Sequence, residues 1–168
     1  MINTRTRRFF AAALAAICLA LTACQGTNEH PLAYRDRLSS AVVSDSVRSF
    51  RITPIEGGFT VEITNPPSVS GITYRITGDT AFVSMGEAEI PVSDRMTKTV
   101  RQVIEFFTPS DDRLVGAKTD RKTGTCAVRF QTDEGEITAN LSEDGIPTSF
   151  LTKDGTWTVE EYIQNPEI

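Results

Sequence analysis

Between Leu114 and Tyr162 glycines cut the chain at near-regular intervals, and three of them follow an acidic residue: Asp133-Glu134-Gly135, Glu143-Asp144-Gly145 and Lys153-Asp154-Gly155. This is tight-turn chemistry, because glycine accepts positive φ without a steric penalty and aspartate bonds its own backbone. Between the turns Cys126, Val128 and Phe130, then Ile137, Ala139 and Leu141, alternate with polar residues. That period belongs to strands with one face in a core and the other in water. With Trp157 and Val159 continuing the pattern, the segment reads as a five-strand antiparallel meander. Its regularity comes from hairpins rather than from a sequence repeat.

The preceding stretch is also β from about Leu38. Ser49 to Thr53 and Phe59 to Thr64 flank Glu56-Gly57-Gly58, a hairpin signal, and Asn65-Pro66-Pro67 then breaks the ladder because proline lacks the donor. Ile72, Tyr74 and Ile76 form another alternating strand, Gly78-Asp79 turns it, and Ala81, Val83 and Met85 share a face of the next; Glu87 to Val92 is a further short segment. One helix is expected, from Ser93 to Thr108. Ser93 and Asp94 suit its cap and first turn, Met96, Val100, Val103, Ile104 and Phe107 fall on one face, and Thr108-Pro109 ends it. Adjacent residues of a helix do not face the same way, so Phe107 is expected in the core and Phe106 at its margin, lining an open mouth. Phe82 and Phe150 lie opposite in parity to the core set of their strands, and either meet a lipid or cover edges and the outer wall.

The N-terminus has a separate logic. Arg5, Arg7 and Arg8 precede an apolar run from Phe9 to Leu21, and Leu21-Thr22-Ala23-Cys24 follows in the lipobox pattern. The run falls short of the roughly 20 apolar residues that span a bilayer. Residues 1–23 therefore read as a lipoprotein signal peptide, with cleavage before Cys24 and diacylglycerol on its sulfur. At least two chains on that residue give stable anchoring where one gives little. The expected location is extracytoplasmic, lipid-anchored to the cell membrane, or to the outer membrane if the source has two, since Gln25 is not Asp. Thr6-Arg7-Arg8-Phe9-Phe10 resembles the twin-arginine consensus, so both export routes stay open. Residues 24–36 read as the lipidated cysteine and a flexible tether, and 37–168 as a β-rich domain.

Removing residues 1–23 from 168 leaves 145, enough for one domain with a real core. Three arginines leave with the signal, so 14 basic residues face 22 acids, a net charge of −8. That balance argues against nucleic acid, whose affinity rests on phosphate neutralisation, and against a polybasic grip on anionic lipid. Cys126 is the one cysteine left after Cys18 and Cys24. It reads as a small buried hydrophobe rather than a reactive thiol.

Catalytic equipment is missing from the pattern. The single histidine, His30, lies in the tether beside Pro31, leaving no base for Ser/His/Asp or Cys/His chemistry. No His or Cys pair has metal-ligand spacing, and no cofactor is implied. Glu87 with Glu89, Asp111-Asp112 and Glu160-Glu161 are acidic clusters without a sugar-stacking aromatic nearby, which makes them solvated faces rather than a hydrolase pair.

Phe59 to Pro66, Gly71 to Asp79, Val83-Ser84-Met85-Gly86, Ile90-Pro91-Val92 and Asp144-Gly145-Ile146-Pro147 together resemble the small lipobox lipoproteins of Firmicutes. That group is similar to the LolA/LolB/LppX superfamily of lipoprotein carriers. The resemblance implies an α+β fold, a strongly curved antiparallel β-sheet (half-barrel) of eight to ten strands wrapped around one amphipathic helix. It also implies a non-enzymatic envelope protein binding an apolar ligand, an acyl chain or lipid, between sheet and helix. Met96, Val100, Val103, Phe106 and Phe107 would face that ligand. The alternative is a structural or sensory protein-interaction module with a filled core.

Overall fold

In the computed structural model, residues 30–86 and 88–165 are described. The chain divides into two units, Met1–His30 and Pro31–Ile168; the expected signal peptide of residues 1–23, Cys24 and Glu87 lie outside the described residues. The second unit carries eleven strands: β1 Leu38–Ser44, β2 Ser49–Ile55, β3 Gly58–Asn65, β4 Thr73–Thr77, β5 Thr80–Met85, β6 Ala88–Pro91, β7 Leu114–Thr119, β8 Cys126–Thr132, β9 Gly135–Leu141, β10 Pro147–Thr152 and β11 Gly155–Gln164. Between β6 and β7 comes a single α-helix, α1, Asp94–Phe107. Short 3-10 turns sit at Ala33–Arg37, Pro67–Val69 and Asp111–Arg113.

All eleven strands form one antiparallel sheet in the order β6-β5-β4-β3-β2-β1-β11-β10-β9-β8-β7. Two meanders are thus joined at the middle, where the first strand pairs with the last from Leu38 opposite Gln164 to Ser44 opposite Thr158. The five-strand meander from Leu114 onward is present as its turn residues require, with Gly124, Gly145 and Gly155 at positive φ.

The curved half-barrel wrapped around the helix is not what forms. The sheet is open, with β6 and β7 at opposite edges, and it has eleven strands rather than eight to ten. Size supplies the reason. Eleven strands spaced about 4.8 Å apart are about 48 Å wide, whereas the 14 residues of α1 give a rod about 21 Å long. The helix covers part of one face and touches turns from both meanders: Arg101 donates to the carbonyls of Gly78 and Asp79, and Lys98 pairs with Glu134 at 3.0 Å.

Register explains which side chains line the covered face. Ala41 opposes Ile52, Ile52 opposes Val61, Val61 opposes Tyr74 and Tyr74 opposes Val83. The opposite face carries Arg51, Glu62, Arg75 and Phe82, with the Arg75 guanidinium 5.0 Å from the Phe82 ring centroid. Phe82 is therefore outer wall. Leu32 and Tyr34 are buried in the same core as Val43 and Phe50, so packing already includes the segment just before β1. Ser93 precedes α1 in extended conformation but makes no side-chain capping bond.

Candidate functional site

The proposed ligand-facing residues separate into two environments. Val100, Val103, Phe106 and Phe107 are buried, Phe106 completely, while Met96 is 64% exposed. Both ends depart from expectation. Phe106 is not at a margin, because Tyr34 closes over it: the rings stack 5.4 Å apart, and the Tyr34 hydroxyl donates to the Phe106 carbonyl at 2.8 Å. Met96 lies on the apolar stripe of α1, yet no part of the sheet covers it.

Around Phe106 the space between helix and sheet is filled by rings. Phe106 stacks on Phe150 at 4.0 Å and 12° and meets Phe107 edge-on at 4.6 Å. Phe150 stacks on Trp157 at 5.9 Å, and Trp157 on Phe50 at 5.5 Å. Above the indole lies the Arg48 guanidinium, 5.2 Å from the ring, held by Asp45. The stack Tyr34, Phe106, Phe150, Trp157, Phe50 runs from the turn before β1 through α1 to β10, β11 and β2. Offset aromatic pairs of this kind add about 0.5–1.5 kcal/mol each beyond area burial. Tyr162 extends the network by donating to the Tyr34 carbonyl. Burial pushes both phenols up, Tyr162 to about 12, so neither ionises near neutrality.

Exposed apolar side chains also occur at the β5–β6 edge of the sheet. Val83 pairs with Ile90 and Met85 with Ala88 on the core-facing side of the β5–β6 edge. Met85 is 72% and Ile90 59% exposed.

Two small clefts flank α1, and Glu105 lines both. One, about 250 Å³, is bounded by Phe59, Ile76, Ile104 and Arg101; the other, about 240 Å³, by Thr108, Arg113, Phe130 and Gln131. Burial raises the Glu105 carboxyl above its ordinary value, and the nearby charge of Asp133 adds to it. Oε2 of Glu105 is buried without a hydrogen-bond partner. A broader groove of about 720 Å³ involves Lys118, Arg121, Cys126, Asn140 and Ser149. Cys126 is half-buried and unbridged.

In each acidic cluster one carboxylate is engaged by a neighbouring side chain. Glu89 meets Arg75 at 2.7 Å, Asp111 meets Arg35 at 2.6 Å, and Glu160 accepts from Ser44 at 2.5 Å. Hydrogen bonds from Lys153 and Lys98 hold the Glu134 carboxyl below its ordinary range. Among the described residues no group of three or more His, Cys, Asp or Glu is arranged to hold a metal ion, and no helix is long and apolar enough to cross a membrane. His30 is exposed at the start of the described chain.

No protein-family model matches the chain, and no curated protein matches it. Among solved structures, an uncharacterized conserved protein from Thermus thermophilus is similar over 80% of this chain and 85% of its own, with 16% identity and a TM-score of 0.46.

Proposed function

We propose that the chain is a membrane-anchored, non-enzymatic interaction module of the cell envelope, held outside the cytoplasm by acyl chains on Cys24. The observation that carries this reading is the five-ring stack centred on Phe106. Where a carrier keeps a cavity for its ligand, this domain places its own phenylalanines. The carboxylates engaged by Arg and Lys, and the position of the single His, His30, outside the strands and the helix, support the non-enzymatic part.

A second reading comes from Met85, Ile90 and Met96, all largely exposed. An acyl chain lying on these exposed side chains would stay outside the filled interior. The resemblance to lipoprotein carriers is the source of this alternative.

Titration of the mature domain with a fluorescent fatty acid separates the two. The filled-core reading expects no saturable binding. Binding that survives Met96→Asp would overturn it, since the ligand would then sit deeper between helix and sheet. Saturable binding lost in Met96→Asp would establish the second reading.

A further inference from the structure

We propose that the cleft between the C-terminal end of α1 and β8 is a binding site for a primary ammonium group, with the Glu105 carboxylate as its counter-ion. This deepens the interaction-module reading by naming the chemistry that such a module would take up.

An orphaned oxygen marks the place. Oε2 of Glu105 is buried without a hydrogen-bond partner, the one side-chain atom in that condition among the described residues. A buried carboxylate oxygen left unpaired is costly to a fold, and such a group at the wall of a cavity is the mark of a functional position. Burial and the charges of Asp133 and Glu134 oppose its ionisation, against the pull of Arg113. A cation bound beside the carboxylate would offset all three.

Glu105 stands in the walls of two clefts that differ in what else they offer. The one shared with Gly57, Phe59, Ile76 and Ile104 presents glycines and apolar side chains, and its Arg101 is bonded to the Gly78 and Asp79 carbonyls. The one toward β8 adds Thr108, Ser110, Gln131 and Thr132 to the carboxylate, four side chains with acceptor oxygens. An ammonium carries three donors and no acceptor, so it needs a set of this kind. Arg113 in the same wall is neutralised by Asp133 at 3.0 Å. Pro109 and Phe130 complete the lining and suit the carbon stem behind the charge. The last torsion of a glutamate side chain is broad, so a small rotation presents either oxygen to the cleft.

Size and donor set narrow the class. The cleft holds about 240 Å³, below the roughly 300–1,000 Å³ of sites for drug-sized ligands, which fits a single aminoalkyl group. Among the described residues no group of three or more His, Cys, Asp or Glu is arranged to hold a metal ion, so an organic cation is the better match. Its source is a free amine or a lysine side chain of a partner.

Titration of the purified chain with n-butylammonium chloride, followed by carbon and amide NMR, tests this. Saturable shifts with a Kd of about 1 mM are expected at the Glu105 side-chain carboxyl and at the amides of Ser110, Gln131 and Thr132, with Gly57, Gly58 and Gly78 unmoved. n-Butanol, equal in length but uncharged, should bind at least about tenfold more weakly, and so should butylammonium to Glu105→Gln. Loss of a buried, unpaired charge stabilises the fold, so weaker binding by Glu105→Gln does not reflect unfolding, and its urea midpoint checks that. A capped Gly-Lys-Gly peptide separates the sources: tighter binding than butylammonium assigns the site to a partner's lysine, equal or weaker binding to a free amine, with the site established either way. Butanol binding as well as butylammonium, undiminished binding to Glu105→Gln, shifts centred on Gly57, Gly58 and Gly78, or no saturable shift up to about 100 times the expected Kd overturns the proposal. Each of those results leaves the interaction-module reading standing, since that reading rests on the ring stack around Phe106.

Discussion

Phe106→Ala removes a ring that is completely buried and touches Tyr34, Phe107 and Phe150. Deleting a buried phenylalanine costs about 3–5 kcal/mol. The three ring contacts put this site near the upper end, about 4 kcal/mol. A domain of this size has about 5–15 kcal/mol in all, so the variant should fold but with much of its margin gone. Urea denaturation of a soluble form beginning at Gln25, followed by Trp157 fluorescence, reads the difference. With a slope of about 2 kcal/mol/M, the midpoint should fall by about 2 M. Met96→Ala is the matched control: its side chain is 64% exposed, and a change there should stay within about 0.5 kcal/mol. A midpoint shift for Phe106→Ala no larger than that for Met96→Ala would refute the filled-core account, since the ring would then be lining an open space.

Gly58→Ala should destabilise by about 1–3 kcal/mol in the same assay, because an added Cβ would sit 1.9 Å from the Ile76 carbonyl oxygen of the neighbouring strand; an unchanged midpoint refutes the close approach of β3 to β4. Tyr34→Phe deletes the donor to the Phe106 carbonyl and should cost about 1–3 kcal/mol by leaving a buried acceptor unpaired, read by thermal unfolding. Glu105 sets a pH dependence. Its raised carboxyl means the folded state keeps the proton to higher pH than the unfolded chain, so stability falls as pH rises from the ordinary glutamate value through the raised one, and the penalty is complete above it. Glu105→Gln should remove that slope and stabilise the domain at pH 7; a variant less stable than the parent at pH 7 contradicts the sign.

The elements legible in the sequence are those fixed by local chemistry. Acid–glycine turns place the β7 to β11 meander, and the apolar stripe with Thr108-Pro109 places α1 close to its observed Asp94–Phe107. The features hidden from the sequence depend on distant segments. Phe106 is buried because Tyr34, 72 residues earlier, closes over it, and nothing local to either residue records that meeting. Leu32 and Tyr34 lie in a polar stretch without a period, which hides their role in the core. Phe150 joins the core although its parity reads otherwise, since the register of β10 against β9 shifts between Pro147 and Ser149; such irregularities change which face a residue occupies. Met96 follows the stripe but lies where the sheet gives no cover. Sheet width departs most from expectation: the resemblance implies curvature, whereas the pairing of β1 with β11 sets an open sheet of eleven strands.

That central pairing governs when the domain can become stable. Leu38 waits for Gln164 and Ser44 for Thr158, contacts between opposite ends of the domain that form slowly because loop closure precedes any gain. Until β11 is in place, each meander presents an unpaired edge, β1 in one and β10 in the other, at what will be the middle of the sheet. A chain emerging from its N-terminus would thus keep two exposed strand edges until its last strand arrives, so loss of β11 would leave no protected half behind, only two sticky ones.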